Sequence, residues 1–227
     1  MQQKLSIKLL PSQAANELCI KQAIFDVLPV NQSALSGYCI HKKSIDARGK
    51  KVFINISLTA YINEPPQRLS HFKPQFKIPG PDAKKVIIIG AGPAGIFAAL
   101  KLLEAGIKPI IIERGKDVRN RRRDLAKLNK EGILNTESNY CFGEGGAGTY
   151  SDGKLYTRSD KRGNIKNVLD TFIQFGASPD IAIDAHPHIG TNKLPGIIES
   201  MRKAIEDAGG TILFSSRFTG FELRGKH

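Results

Sequence analysis

Long apolar runs are missing from this sequence, and none approaches the eighteen or so residues that a membrane-spanning helix requires. The first residues, MQQKLSIKLLPSQ, also lack the apolar stretch of a signal peptide. Cysteine is scarce. Cys19, Cys39 and Cys141 are too few and too scattered for a disulfide scaffold or a four-thiolate metal site. Internal repeats and low-complexity segments are absent as well. These absences lead to the expectation of a reducing, cytoplasmic setting with no membrane partner. What is present is a chain of 227 residues, 41% apolar, enough for a real core in one medium domain or a medium domain plus a small one.

Acidic residues are outnumbered, 21 against 34 Lys and Arg, so the net charge is +13. The excess is spread along the chain and not gathered in a tail. Such a balance suits nucleic acid or an anionic cofactor or substrate, and charge alone does not choose between them.

The opening third reads as strand, helix, strand, strand. Residues 4–10 alternate as a strand does, and between Ala14 and Leu28 the apolar positions Leu18, Ile20, Ala23, Ile24 and Val27 share a helical face. A hairpin follows, with arms at 36–46 and 51–62 turning at Arg48-Gly49. Val52, Ile54, Ile56, Leu58, Ala60 and Ile62 lie on one face of its second arm, and Asn55, Ser57 and Thr59 on the other. Cys19 falls on the helix's apolar face and is expected in the core. Residues 63–83 then hold five prolines and no period, which marks a linker or an extended strap. The expected division is a small module at 1–63, a linker at 64–83 and a larger domain at 84–227.

Beyond the linker the pattern changes to strand, helix, strand. Lys85-Val86-Ile87-Ile88-Ile89 reads as a buried parallel strand, 93–105 as a helix closed by Gly106, and Pro109-Ile110-Ile111-Ile112 as a second buried strand. Val168, Leu169, Phe172 and Ile173 suggest a later helix. Leu194, Ile197, Ile198, Met201, Ala204, Ile205 and Ala208 mark another, and Thr211-Ile212-Leu213-Phe214 a last strand.

Between the first of these strands and its helix stands Gly90-Ala91-Gly92-Pro93-Ala94-Gly95, with Ala99 four residues on. A dinucleotide's pyrophosphate sits against the first turn of a helix, where free N–H groups and the helix dipole favour anions. Gly90 permits the tight turn, Gly92 offers no Cβ to the phosphates, and Gly95 lets the helix approach the sheet. Glu113 ends the second strand, 23 positions after Gly90, where a carboxylate can accept hydrogen bonds from ribose hydroxyls. A lone glycine triplet would be weak evidence. The surrounding strand, helix, strand and terminal acid supply the context that the motif demands. Glu113 argues against NADP in this groove, because a carboxylate repels a 2′-phosphate, but the motif divides poorly between FAD and NAD.

A second glycine cluster fills residues 141–155, where Gly143, Gly145, Gly146, Gly148 and Gly153 alternate with Phe142, Thr149, Tyr150 and Ser151. Such a backbone can approach a flat ring or a phosphate closely. Here the chain resembles the N-terminal part of a family of FAD-dependent oxidoreductases, catalogued as uncharacterised FAD-dependent dehydrogenases. The resemblance is carried by KKSIDARGKK (42–51), VIIIGAGPAGIFAALKLLEAGIKPIIIERG (86–115), CFGEGGAGTYSDGKLYTR (141–158) and HPHIGTNKLPGI (186–197).

That resemblance implies an α/β fold: a Rossmann-like, glutathione-reductase-like FAD-binding domain with a parallel sheet, preceded by a small βαββ, ferredoxin-like α+β module. It implies that Gly90, Gly92, Ala94 and Gly95 meet the pyrophosphate and Glu113 the adenosine ribose, with Pro93 and Arg114 also among the cofactor-binding residues. Gly145, Gly146, Gly148, Thr149 and Ser151 would lie near the pyrophosphate or the isoalloxazine. FAD is the implied cofactor, with NAD(P)H as a candidate electron donor and no identified substrate or catalytic residue. Members are considerably longer, and a later strand completes their FAD site, so a fragment or shortened product is expected here.

The remaining candidates have plainer accounts. Cys141 has no second cysteine near it and is expected as a packed thiol. His186 and His188 lack companions at metal-ligand spacing, so a loop entering a helix at Asn192, capped by Thr191, is expected instead of a metal site. Arg114, Lys116, Arg119, Arg121, Arg122, Arg123, Lys127 and Lys130 form a basic run with no interleaved aromatics. A solvated helix face with some cofactor contact is expected there. An inactive nucleotide-binding fragment, or a basic regulator on nucleic acid, is the competing class, and nucleic acid is its weaker partner.

Overall fold

The computed structural model describes residues 1–67, 73–157 and 163–223. Arg158, the last residue of the 141–158 segment, part of the 64–83 linker, and the end of the chain from Arg224 lie outside the described residues. Two compact units emerge, within Met1–Phe72, Lys154–Ile173 and Ser178–His188 for the first and within Lys73–Gly153, Gln174–Ala177 and Ile189–His227 for the second. This division is not contiguous, unlike the one expected from the sequence, because 154–173 and 178–188 group with the N-terminal module.

The first unit has the expected βαββ order. Strands β1 (Gln2–Leu9), β2 (Leu35–Asp46) and β3 (Phe53–Ile62) form an antiparallel sheet in the order β1-β3-β2. Short helix α1 (Pro11–Ala14) and helix α2 (Glu17–Val27), capped by Asn16, join β1 to β2. Ile7, Leu9, Ile20, Ile24, Leu28, Ile56, Leu58, Ala60 and Ile62 make the core. Alternation along β3 put Ile56, Leu58, Ala60 and Ile62 there, since successive side chains take opposite faces. The helical face is narrower than expected: Ile20 and Ile24, one turn apart, are buried, whereas Leu18 and Val27 are 73% and 52% exposed. Cys19 is half-buried and not core. Three strands and one long helix give the βαββ order and carry the ferredoxin-like comparison no further.

The second unit is a mixed α/β layer built on a parallel sheet. Strands β4 (Lys85–Ile89), β5 (Lys108–Ile112) and β6 (Thr211–Leu213) run in the order β4-β5-β6. Helix α3 (Pro93–Glu104) makes the crossover from β4 to β5 and buries Gly95, Ile96, Ala99, Leu100 and Leu103. Helix α4 (Val118–Glu131) follows β5, and α6 (Leu194–Asp207) buries Leu194, Ile197, Ile198, Met201 and Ile205, whereas α5 (Ile165–Gln174) belongs almost wholly to the first unit. An extended strap after residue 73 is tied to α3, where the Lys77 N–H donates to the Leu103 carbonyl at 3.1 Å.

Three expectations need correction. β4 was read as a buried strand, yet Ile87 and Ile89 are 61% and 54% exposed. The physical reason is position: β4 is an edge strand, and among the described residues no strand pairs with its other side, while Ile111 in central β5 is fully buried. Helix α6 starts at Leu194 with Lys193 at its N-cap and no side-chain cap, so Thr191 does not cap it. In α5 the buried side chains are Asp170, Thr171 and Phe172, with Val168 exposed; the Asp170 carboxylate accepts from Lys166 Nζ at 2.7 Å.

Candidate functional site

The turn from β4 into α3 is set by backbone geometry. Gly90 has φ +97°, the left-handed region that glycine enters without strain. Its N–H donates to the Ile112 carbonyl at 2.8 Å, which ties the turn to β5. Gly95 is required for a different reason. A Cβ there would lie 2.0 Å from the Gly90 carbonyl oxygen, so only glycine lets α3 begin this close to β4. Gly92 is the N-cap of α3 and supplies no side-chain cap, unlike Asn16 on α2 and Asp117 on α4. Pro93 has no N–H to donate, and the Ala94 and Gly95 N–H groups have no acceptor among the described residues. Two unbonded donors, one on exposed Ala94 and one on buried Gly95, therefore lie at the positive end of a twelve-residue helix.

Glu113, 5% exposed at the end of β5, braces this turn. Its Oε2 accepts from the Ala91 N–H at 2.7 Å and its Oε1 from the Gly115 N–H at 2.8 Å. The carboxylate is held by two backbone donors, and Arg114 and Arg217 line the same cavity.

The second glycine cluster folds directly onto the first. The Gly145 N–H donates to the Ala91 carbonyl at 2.8 Å, and a Cβ on Gly146 would meet Pro93 Cδ at 3.2 Å. Behind this loop lies Arg121, which projects from α4 and is fully buried. Its Nε donates to the Asn139 carbonyl at 2.9 Å, one terminal nitrogen to the carbonyls of Glu144 and Gly146 at 2.7 and 2.8 Å, and the other to Tyr140 at 3.1 Å. Burial draws the guanidinium down from its usual value, against the raising pull of nearby Tyr150 and Glu113. Gly143 must be glycine beside it: φ is +123°, and a Cβ would fall 2.4 Å from Arg121 Cδ. Buried Glu144 is fixed by the Val118 N–H and by Arg202 Nε, each at 2.8 Å. Burial pushes its carboxyl up, and those two donors oppose the shift.

A cavity of about 460 Å³ opens between the two glycine segments. Its walls include Gly90, Gly92, Glu113, Arg114 and Gly146 from the expected set. Pro93 and Ala94 stand exposed beside it on the first turn of α3. Arg114 lies 3.8 Å from the centre of the Phe142 ring and pairs with Glu137 at 3.0 Å, which holds the Glu137 carboxyl below its ordinary range.

Four expected residues are placed otherwise. Thr149 is fully buried, and its hydroxyl is spent on the Glu144 and Gly146 carbonyls at 3.1 and 3.0 Å, so it shapes the loop and does not face the cavity. Ser151 donates to the Gly148 carbonyl at 2.9 Å, and neither it nor Gly148 lines the cavity. Gly145 is buried beneath the lining.

Sequence reasoning missed Ser216, Arg217 and Phe218, which line the cavity just after β6. Loops at the carboxyl ends of parallel strands converge on ligands, so their place after the third strand was the available signal. Cys141 is exposed and lines the cavity, so it is not a packed thiol. The basic run is also not uniformly solvated: Arg121 points inward, Lys116 pairs with Asp124 and Arg119 with Glu199. The His186 ring sits 4.5 Å from that of Tyr156, and among the described residues no group of three His, Cys, Asp or Glu could hold a metal ion. No helix there is long and apolar enough to cross a membrane.

Comparison with known proteins gives this geometry a context. Residues 83–130 match a family described as an FAD binding domain, so this stretch, from the strap through β4, α3 and β5 into α4, is an FAD-binding domain match. Residues 1–61 match a domain of unknown function, DUF8436. An uncharacterized protein of Clostridium beijerinckii is 37% identical over 213 residues, covering 87% of this chain. The chain spans 40% of that relative's length.

Proposed function

We propose that this chain forms the FAD seat of a flavin-dependent oxidoreductase of the dehydrogenase type. One observation carries the reading. The N-terminus of α3 is left without a side-chain cap, and it borders a cavity lined by the glycine backbone of both glycine segments. Residues of that kind fit a diphosphate: Ala94 and Gly95 offer N–H donors, and Gly92 has open space where a Cβ would be. Glu113 keeps unused lone pairs for ribose hydroxyls while bracing the turn. Arg114 on Phe142, with Phe218 in the same lining, offers flat and cationic surface for a purine.

Bound there, FAD supplies hydride chemistry that the side chains alone lack. The protein's own part is to bind, orient and exclude water, and the substrate and catalytic residues belong to no group identified in this chain. NADH or NADPH stands as the candidate electron donor. The βαββ unit is proposed as an accessory module of the same protein, as are the cytoplasmic setting and the division of the chain at the proline-rich segment.

The test is reconstitution. Purified protein mixed with FAD and desalted should retain flavin absorption at about one FAD per chain, and anaerobic addition of NADH or NADPH should bleach it. Protein that emerges colourless from that procedure, and again after reconstitution at high FAD, contradicts the proposed seat. Retained flavin that neither nicotinamide reduces would leave the seat and remove the proposed donor.

A further inference from the structure

Arg121 carries a full charge into the interior with no carboxylate at ion-pairing distance among the described residues. Such burial is costly unless dipoles replace the lost water. Here the dipoles are the carbonyls of Asn139, Tyr140, Gly143, Glu144 and Gly146, together with the Thr149 hydroxyl. The loop is thus folded around a cation, with its oxygens turned inward.

A trans, planar peptide places its N–H opposite its C=O. Each carbonyl that faces Arg121 therefore turns the next residue's N–H away from it. Most of those N–H groups are already used: Glu144 on the Lys116 carbonyl at 3.0 Å, Gly145 on the Ala91 carbonyl at 2.8 Å, and Cys141 on Asn139 Oδ1 at 2.8 Å. The exception beside the nucleotide cavity is Ala147. Its N–H shares a peptide plane with the Gly146 carbonyl, has no acceptor among the described residues, and belongs to an exposed residue next to the N-terminus of α3.

We propose that Arg121 is a positioning residue for the diphosphate of the bound dinucleotide: it fixes the Gly146–Ala147 peptide so that the Ala147 N–H joins those of Ala94 and Gly95 as an anion donor, and it adds a positive charge behind them. The proposal rests on the nucleotide reading of the cavity and deepens it. It assigns the charge selectivity of the site to a side chain that never touches the ligand.

The experiment compares ADP with adenosine as calorimetric probes of wild type, Arg121→Met and Arg121→Lys. The wild type should bind ADP far more tightly than adenosine. Arg121→Met removes the charge and the inward fan of hydrogen bonds, and should weaken ADP by about tenfold to a hundredfold while leaving adenosine nearly unchanged. Arg121→Lys restores the charge without the fan and should recover part of the ADP preference, together with its sensitivity to salt. A merely structural role predicts another pattern, in which both probes weaken equally; that result would overturn the proposal, as would ADP binding unaltered in both variants. If Arg121→Met does not fold, the lysine variant decides alone, because wild-type ADP selectivity in it contradicts the assignment. A wild type that binds neither ADP nor FAD refutes the nucleotide site itself, and this proposal falls with it.

Discussion

The two three-stranded sheets of this chain differ in how much they hide. In the antiparallel sheet Ile56, Leu58 and Ala60 of β3 are almost fully buried in one core with Ile20 and Ile24 of α2. In the parallel sheet β5 is covered, whereas Ile87 and Ile89 of β4 are exposed. Strand β4 is the more apolar of the two, yet it is the more exposed. Alternation along β3 states which face needs cover, and the cover is nearby in sequence. An unbroken run such as KVIII states only that the strand suits burial.

Four changes would break or sharpen that contrast. Gly95→Val should have the largest effect, because its Cβ would stand 2.0 Å from a backbone oxygen that cannot yield easily. It should abolish FAD binding and lower the melting temperature sharply, and a variant that binds FAD normally would contradict the packing of α3 on β4. Ile24→Ala, in the fully buried core of the antiparallel unit, should cost about 2–5 kcal/mol in denaturant unfolding. FAD bound per folded molecule should stay the same.

Asp117→Ala comes next. Asp117 caps α4, accepting from the Arg119 and Asn120 N–H groups at 3.0 and 3.2 Å, and its loss should cost about 1 kcal/mol. Burial pushes its carboxyl up, but the hydrogen bonds from Asn120 and Arg119 outweigh it and leave the pKa lowered. A depressed folded pKa means stabilisation that is present above the ordinary carboxylate range and lost as pH falls through the folded value. The gap between wild type and variant, followed by unfolding at a series of pH values, should therefore narrow on acidification below about pH 4. Ile87→Lys should change least, within about 0.5 kcal/mol, because the site is exposed. A loss in unfolding free energy as large as that of Ile24→Ala would show that β4 is covered after all.

The same contrast measures what the sequence made legible. Strong periods gave the βαββ order, the α3 crossover and the buried face of α6, because each apolar position has one partner surface. The glycine turn at Gly90–Gly95 was legible from spacing, since a missing Cβ leaves a direct trace. Arg121 was hidden inside a basic run, where charge suggests solvent. Its spacing held a fainter sign: Val118, Arg121 and Leu125 share one helical face and are all buried. Hydroxyl residues among glycines suit phosphates, which makes Thr149 a candidate ligand contact in the sequence, and only the fold shows its oxygen satisfied within the loop. Ser216, Arg217 and Phe218 carry no motif. They enter the site through topology, at the end of the third parallel strand.

The most direct test of the dinucleotide seat is a calorimetric titration of the purified chain with FAD, followed by displacement with ADP. About one site per chain is expected, with ADP competing because the donors at Ala94 and Gly95 and the cavity walls at Glu113 and Arg114 receive the half that the two ligands share. Absence of heat with either ligand, under conditions where the protein is folded, would contradict it.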